Sequence, residues 1–179
     1  MYSTHEKTEV LGKIDQAYSA LNEAVAGFSE AQANFKPASG GWSVAGVVEH
    51  LARVQERVIG RIDQLLVSPA DMAGSPAGKI EDETLRGKLV DRSRKAQAPE
   101  PTHPTGTSMR DSLERLVAGP GQIAKILETA PADFRQRSVA HPFFGPLDCH
   151  QWLILLGSHC SRHTQQIVEV KSSADFPRG

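Results

Sequence analysis

Two histidines stand four residues apart in His159-Cys160-Ser161-Arg162-His163. Residues so spaced lie on one face of a helix, about 5–6 Å apart, close enough for two imidazoles to share one transition-metal ion. Around them, Trp152, Leu156, Ile167 and Val170 mark a periodic apolar stripe, so both histidines take positions where the pattern calls for core. A polar group placed there needs a partner. Metal ligation is one way to supply it, and hydrogen bonding among core histidines is the other. A third histidine, His50, sits in a similar setting, with Gly46, Val47 and Val54 as its neighbours at three and four residues.

Other residues near these positions could take part. Gln166 follows His163 by three and His159 by seven, on the same face, where it could orient a bound water or substrate. Glu49, next to His50, is a candidate general base, although a helical wheel turns it about 100° away, which favours a surface or supporting position. His141 lies in a loop leading into the last helix, near a bundle end, where it could line a pocket. His150 falls on the face opposite His159 and is expected toward solvent. Cys160 reads as a small buried hydrophobe. Cys149, at a helix start, could carry a lowered thiol pKa. His5 and His103 read as surface residues, and Trp152, Phe143 and Phe144 as core or pocket wall.

Four segments have the periodicity to carry these residues. The first runs from about Thr4 to Phe28, with Val10, Ile14, Ala17, Leu21, Val25 and Phe28 inward. The second follows Gly40-Gly41, is capped by Ser43 and ends before Pro69; its stripe is Val44, Val47, Leu51, Val54, Val58, Ile62 and Leu65. The third opens near Thr107 or Ser108, with Met109, Leu113, Leu116, Ile123 and Leu127 inward. A kink or short break is expected at Gly119-Pro120-Gly121, because proline removes a hydrogen bond and clashes with the preceding turn. The fourth spans about Asp148 to Ser172. A long crossover, Pro69 to Pro104, joins the second and third. Ser68 to Gly78 should be its mobile part. A short helix within Glu81–Arg94, with Leu85, Leu89 and Ile80 inward, should partly wall the metal cavity. No segment alternates convincingly enough for a strand. The pattern predicts one all-α domain over 1–179, a four-helix bundle, a fold whose core commonly hosts metal sites.

Bulk composition narrows the partners. The chain has 179 residues, 20 basic and 21 acidic, for a net charge of −1. That balance gives no bulk attraction for nucleic acid or an acidic membrane, and Arg92-Ser93-Arg94-Lys95 reads as a solvated helix end. No apolar run is long enough to span a bilayer. The first residues lack the pattern of a secretory signal, and two cysteines make no disulfide framework. A cytoplasmic location is expected.

Taken together, Trp42-Ser43, Val48-Glu49-His50-Leu51, His141-Pro142-Phe143-Phe144-Gly145-Pro146-Leu147, and His159 through His163 with Gln166-Ile167 resemble the DinB/YfiT-like superfamily. The resemblance covers Leu11 to Lys171. It implies a four-helix bundle holding a divalent metal, zinc or nickel, on His50, His159 and His163. Three nitrogen ligands leave a coordination position open, the arrangement of a catalytic site. The resemblance further implies a metal-dependent hydrolase or a low-molecular-weight-thiol S-transferase acting on a small molecule, with a homodimer among the expected assemblies. The rival is a non-catalytic metal-binding or stress-response bundle.

Overall fold

A computed structural model describes residues 2–38, 40–68, 79–93 and 97–178. The expected mobile stretch, Ser68 to Gly78, lies outside the described residues except for Ser68, as do Arg94 and Lys95 of the basic cluster.

Helix α1, Thr4–Val25, starts from a capping box in which Ser3 and Glu6 satisfy each other's backbone N–H groups. It buries Val10, Ile14, Ala17, Leu21 and Val25. It stops short of Phe28 because Gly27 turns left-handed, at φ +73°. A second capping box, Ser29 with Gln32, then opens the four-residue helix α2, Glu30–Ala33.

Helix α3, Val44–Val67, is capped by the Ser43 hydroxyl, which accepts from the Gly46 N–H at 3.1 Å. Its buried positions widen beyond one stripe to include Val48, Ala52, Gln55 and Ile59, because α3 packs on two other long helices. Helix α4, Asp82–Val90, sets Leu85 and Leu89 against the last helix. The crossover touches the histidines elsewhere than expected. Its 3₁₀ turn, Glu100–Thr102, backs His50, whereas α4 borders a separate groove of about 430 Å³ between α1 and the last helix.

Helix α5, Met109–Glu128, runs unbroken through Pro120, so of the expected kink or short break the break does not occur. The neighbour on this side is α3. The Gln55 side chain enters beside Gly119, and its Nε2 donates to the Arg115 carbonyl at 3.0 Å. A Cβ at position 119 would lie 2.0 Å from Gln55 Oε1, so glycine makes the room. The carbonyl that Pro120 itself leaves without a helical donor is that of Leu116, one residue on.

A hairpin follows that periodicity did not reveal. Strands β1, Ser138–His141, and β2, Gly145–Asp148, pair antiparallel with Ser138 opposite Asp148 and His141 opposite Gly145. Each is four residues long and β2 contains Pro146, so there is too little alternation to recognise. Gly145, at φ +72°, closes the turn.

Helix α6, Cys149–Lys171, is the axis of the molecule. Residues 149–158 are buried all round, since α1, α3, α4 and the hairpin surround them. Ile14, Leu21, Ile62, Ile123, Leu153, Ile154 and Ile167 form the solvent-free centre. Each such side chain contributes roughly 1.5–3 kcal/mol on burial. The four long helices α1, α3, α5 and α6 make the expected four-helix bundle.

Candidate metal centre

His50 faces α6 from the second turn of α3, and His159 and His163 face it from the middle of α6. The three rings offer ligand nitrogens that all lie within 4.8 Å of one another. His50 Nε2 and His159 Nε2 stand 3.0 Å apart. Ring centroids are separated by 5.1 Å for His50–His159, 5.0 Å for His50–His163 and 4.5 Å for His159–His163. With metal–nitrogen bonds of about 2.0–2.2 Å, tetrahedral ligand atoms stand roughly 3.4 Å apart. The three nitrogens need move by only tenths of an ångström to a little over 1 Å to meet that spacing.

The tautomers are fixed from outside. His50 Nδ1 lies 2.8 Å from the Thr102 carbonyl, which can only accept, so Nδ1 carries the proton and Nε2 keeps its lone pair. His163 Nδ1 likewise donates to Gln166 Oε1 at 2.8 Å. A histidine keyed through one nitrogen presents the other to a metal, the arrangement seen around ligated histidines. Trp42 packs on the His50 ring at 4.8 Å. Burial lowers the His50 pKa, while burial followed by the neighbouring His163 and His50 rings takes His159 well below its usual value. His163 is held at about 3, first by burial and then by His50. All three are neutral near pH 7 and available as ligands. Among the described residues this is the one group of three or more such side chains that converges. The donor set therefore fits a divalent transition metal and leaves room for a further ligand.

Glu49 lies neither at the surface nor beside the site. It is fully buried and accepts from Thr105 N, Thr105 Oγ1, Gly106 N, Thr107 N and Thr107 Oγ1 at 2.7–3.0 Å. Burial acts to raise its pKa, but these hydrogen bonds outweigh burial and hold it at about 2. Its acceptor capacity is taken up in anchoring the crossover, which leaves none for a proton from substrate. Gln166 orients His163 rather than a free water.

His141 ends β1 with its ring 4.8 Å from Phe144 and 5.3 Å from Trp152. Burial, then the Arg61 charge, holds it at about 4. His150 is not solvent-side. It is buried, and its Nδ1 is 2.8 Å from the Tyr2 hydroxyl. The wheel placed it opposite His159 correctly, but α1 and the N-terminal residues cover that face. Cys149 is buried, and burial pushes its thiol up to about 12, opposite to the lowering that a helix start suggested. Cys160 is buried as expected. His5 is exposed; His103 is partly covered by Trp42. Thr102 was invisible to sequence reading, since its part is played by a backbone carbonyl.

Known proteins resemble this one along most of its length. The protein YuaE of Bacillus subtilis (strain 168), itself uncharacterised, is 29% identical over 144 residues, covering 78% of this chain and 83% of YuaE. The structure of YfiT from Bacillus subtilis superposes with a TM-score of 0.67 at 20% identity, over 96% of this chain and 89% of that one. YfiT is described as a probable metal-dependent hydrolase with an unusual four-helix bundle topology. The family model of the DinB superfamily matches residues 13–167, which include all three converging histidines, and the chain belongs to that superfamily.

Proposed function

We propose that this protein is a metal-dependent hydrolase of a small molecule, with one divalent ion, zinc or nickel, on His50, His159 and His163. The observation that carries the reading is the convergence of three neutral imidazoles within 4.8 Å, two of them keyed from behind. When bound, such an ion supplies Lewis-acid polarisation and a nucleophile usable near neutral pH. The chain's own residues do the rest. The Thr102 carbonyl and the Gln166 amide hold two rings in ligating orientation, Trp42 shields one side of His50, and buried surroundings keep the imidazoles unprotonated. The likeness to YfiT supports hydrolysis as the reaction class. An ion held by the same nitrogens would also take a thiolate at its open position, so low-molecular-weight-thiol transfer is the second arm of the test.

Metal content of the purified protein should be one ion per chain and near zero in His159→Ala. The loaded protein should hydrolyse members of an ester and amide panel, and a chelator should stop it. Equal metal retention by wild type and His159→Ala overturns the site. Turnover only with a thiol and an electrophile replaces hydrolase by transferase. Full loading without turnover in either arm overturns the enzyme and leaves a metal-binding protein.

A further inference from the structure

Alongside the three histidines lies a second cluster with unmet polarity. Trp152 precedes His159 by seven residues on the same face of α6, about 10 Å along the axis. Its indole nitrogen is buried and has no hydrogen-bond partner. Arg61 of α3, eleven residues after His50 and so on nearly the same face of that helix, lays its guanidinium over the Trp152 ring at 5.4 Å. It is only partly exposed, and among the described residues it has no carboxylate partner. That separates it from Arg53, Arg86, Arg92, Arg115, Arg135 and Arg137, all of which are ion-paired. His141 packs on the other side of the cluster, 5.3 Å from the Trp152 ring. The Phe143 N–H donates to His141 Nδ1 at 3.2 Å, so the proton of the neutral ring sits on Nε2.

Three side chains from α3, α6 and β1 thus bring a guanidinium, an indole N–H and an imidazole N–H together, with no acceptor among them. Donors that gather without acceptors call for an anion. We infer that Arg61, Trp152 and His141 form the subsite that receives a carboxylate on the small molecule, roughly 10–16 Å along the helices from the metal centre. A planar carboxylate suits a single guanidinium fork, and one unpaired cation balances one negative charge. A phosphate would ask for more. Phe144, stacked on His141, supplies apolar wall beside the subsite. The inference deepens the metal-dependent reading, because the subsite would set which small molecule reaches the ion.

The test reads binding, not turnover. The chain has two tryptophans, so nitrogen-15 labelled protein gives two indole N–H signals, assigned with Trp152→Phe. 3-Phenylpropionate should shift the Trp152 indole signal and bind at least tenfold more tightly than 3-phenylpropanamide. Arg61→Met should erase that preference, and Arg61→Lys should restore part of it. His159→Ala should lose metal yet keep the carboxylate preference, which separates failure of this subsite from failure of the metal site. Equal binding of acid and amide, or a preference that survives Arg61→Met, overturns the inference. Inorganic phosphate binding more tightly, with the same dependence on Arg61, overturns the carboxylate in favour of phosphate.

Discussion

Helix α6 carries two dense polar regions that differ in one respect, saturation. At its start, Asp148 caps the helix through the Gln151 N–H at 2.8 Å, pairs with Lys79 at 2.6 Å and approaches Arg135 at 3.6 Å. Gln151 donates to Ile80 and Asp82, Arg135 binds Glu6 and Asp82, and the Tyr2 hydroxyl donates to His150. Three turns on, the histidines also crowd together, but their nitrogens face one another, with His50 Nε2 and His159 Nε2 3.0 Å apart. The first region ties α1, α4, the hairpin and α6 into one body. The second is held in place by others, through the Thr102 carbonyl and the Gln166 amide, and its ligand atoms meet one another. Glu49 and His50 repeat the contrast within two residues: the carboxylate is filled by the crossover, and the imidazole is left one lone pair. Saturated polarity marks structure, and convergent unsaturated polarity marks a site.

This comparison can be broken by substitution. Asp148→Ala should cost the most, about 3 kcal/mol, because it removes a helix cap and strips Lys79 and Arg135 of a buried partner; chemical denaturation would measure it. Glu49→Gln should cost about 2 kcal/mol by setting an amide against backbone donors. Its pH dependence follows from the sign of the shift. The Glu49 carboxyl is held at about 2, below an unfolded value of about 4.3. Its stabilisation is therefore complete above the unfolded value and is lost as pH falls from about 4 toward 2. Melts of wild type and Glu49→Gln should converge across that window, and parallel curves would remove Glu49 from its anchoring role. Tyr2→Phe should cost about 1 kcal/mol, one hydrogen bond to a buried imidazole. His159→Ala should change the stability of metal-free protein by less than that, while metal retention disappears. A large loss there would place the histidines with the saturated region after all.

Much of this was legible in the sequence, for physical reasons. The four long helices announce themselves because three-and-four spacing records which face is buried, and His50, His159 and His163 stand out because they interrupt that record. Short elements leave no such trace, which is why α2 and the hairpin were missed. A helical wheel gives direction but not what lies in that direction. His150 was turned outward correctly yet met Tyr2 instead of water. Glu49 was turned away from the metal side correctly yet met the crossover. Thr102 acts through a carbonyl that every residue has, so no spacing could reveal it. The Arg61–Trp152–His141 cluster joins three distant segments that only the folded chain brings together.

The fit of Gln55 beside Gly119 has a consequence for how this sequence can drift. A side chain at 119 would displace the Gln55 amide, because its Cβ would sit 2.0 Å from Gln55 Oε1. Nor can 55 shrink without losing the hydrogen bond to the Arg115 carbonyl. Positions 55 and 119 are thus bound into a single unit of variation, one that relatives should keep or abandon together. A lineage that shortens the side chain at 55 would be released to fill 119.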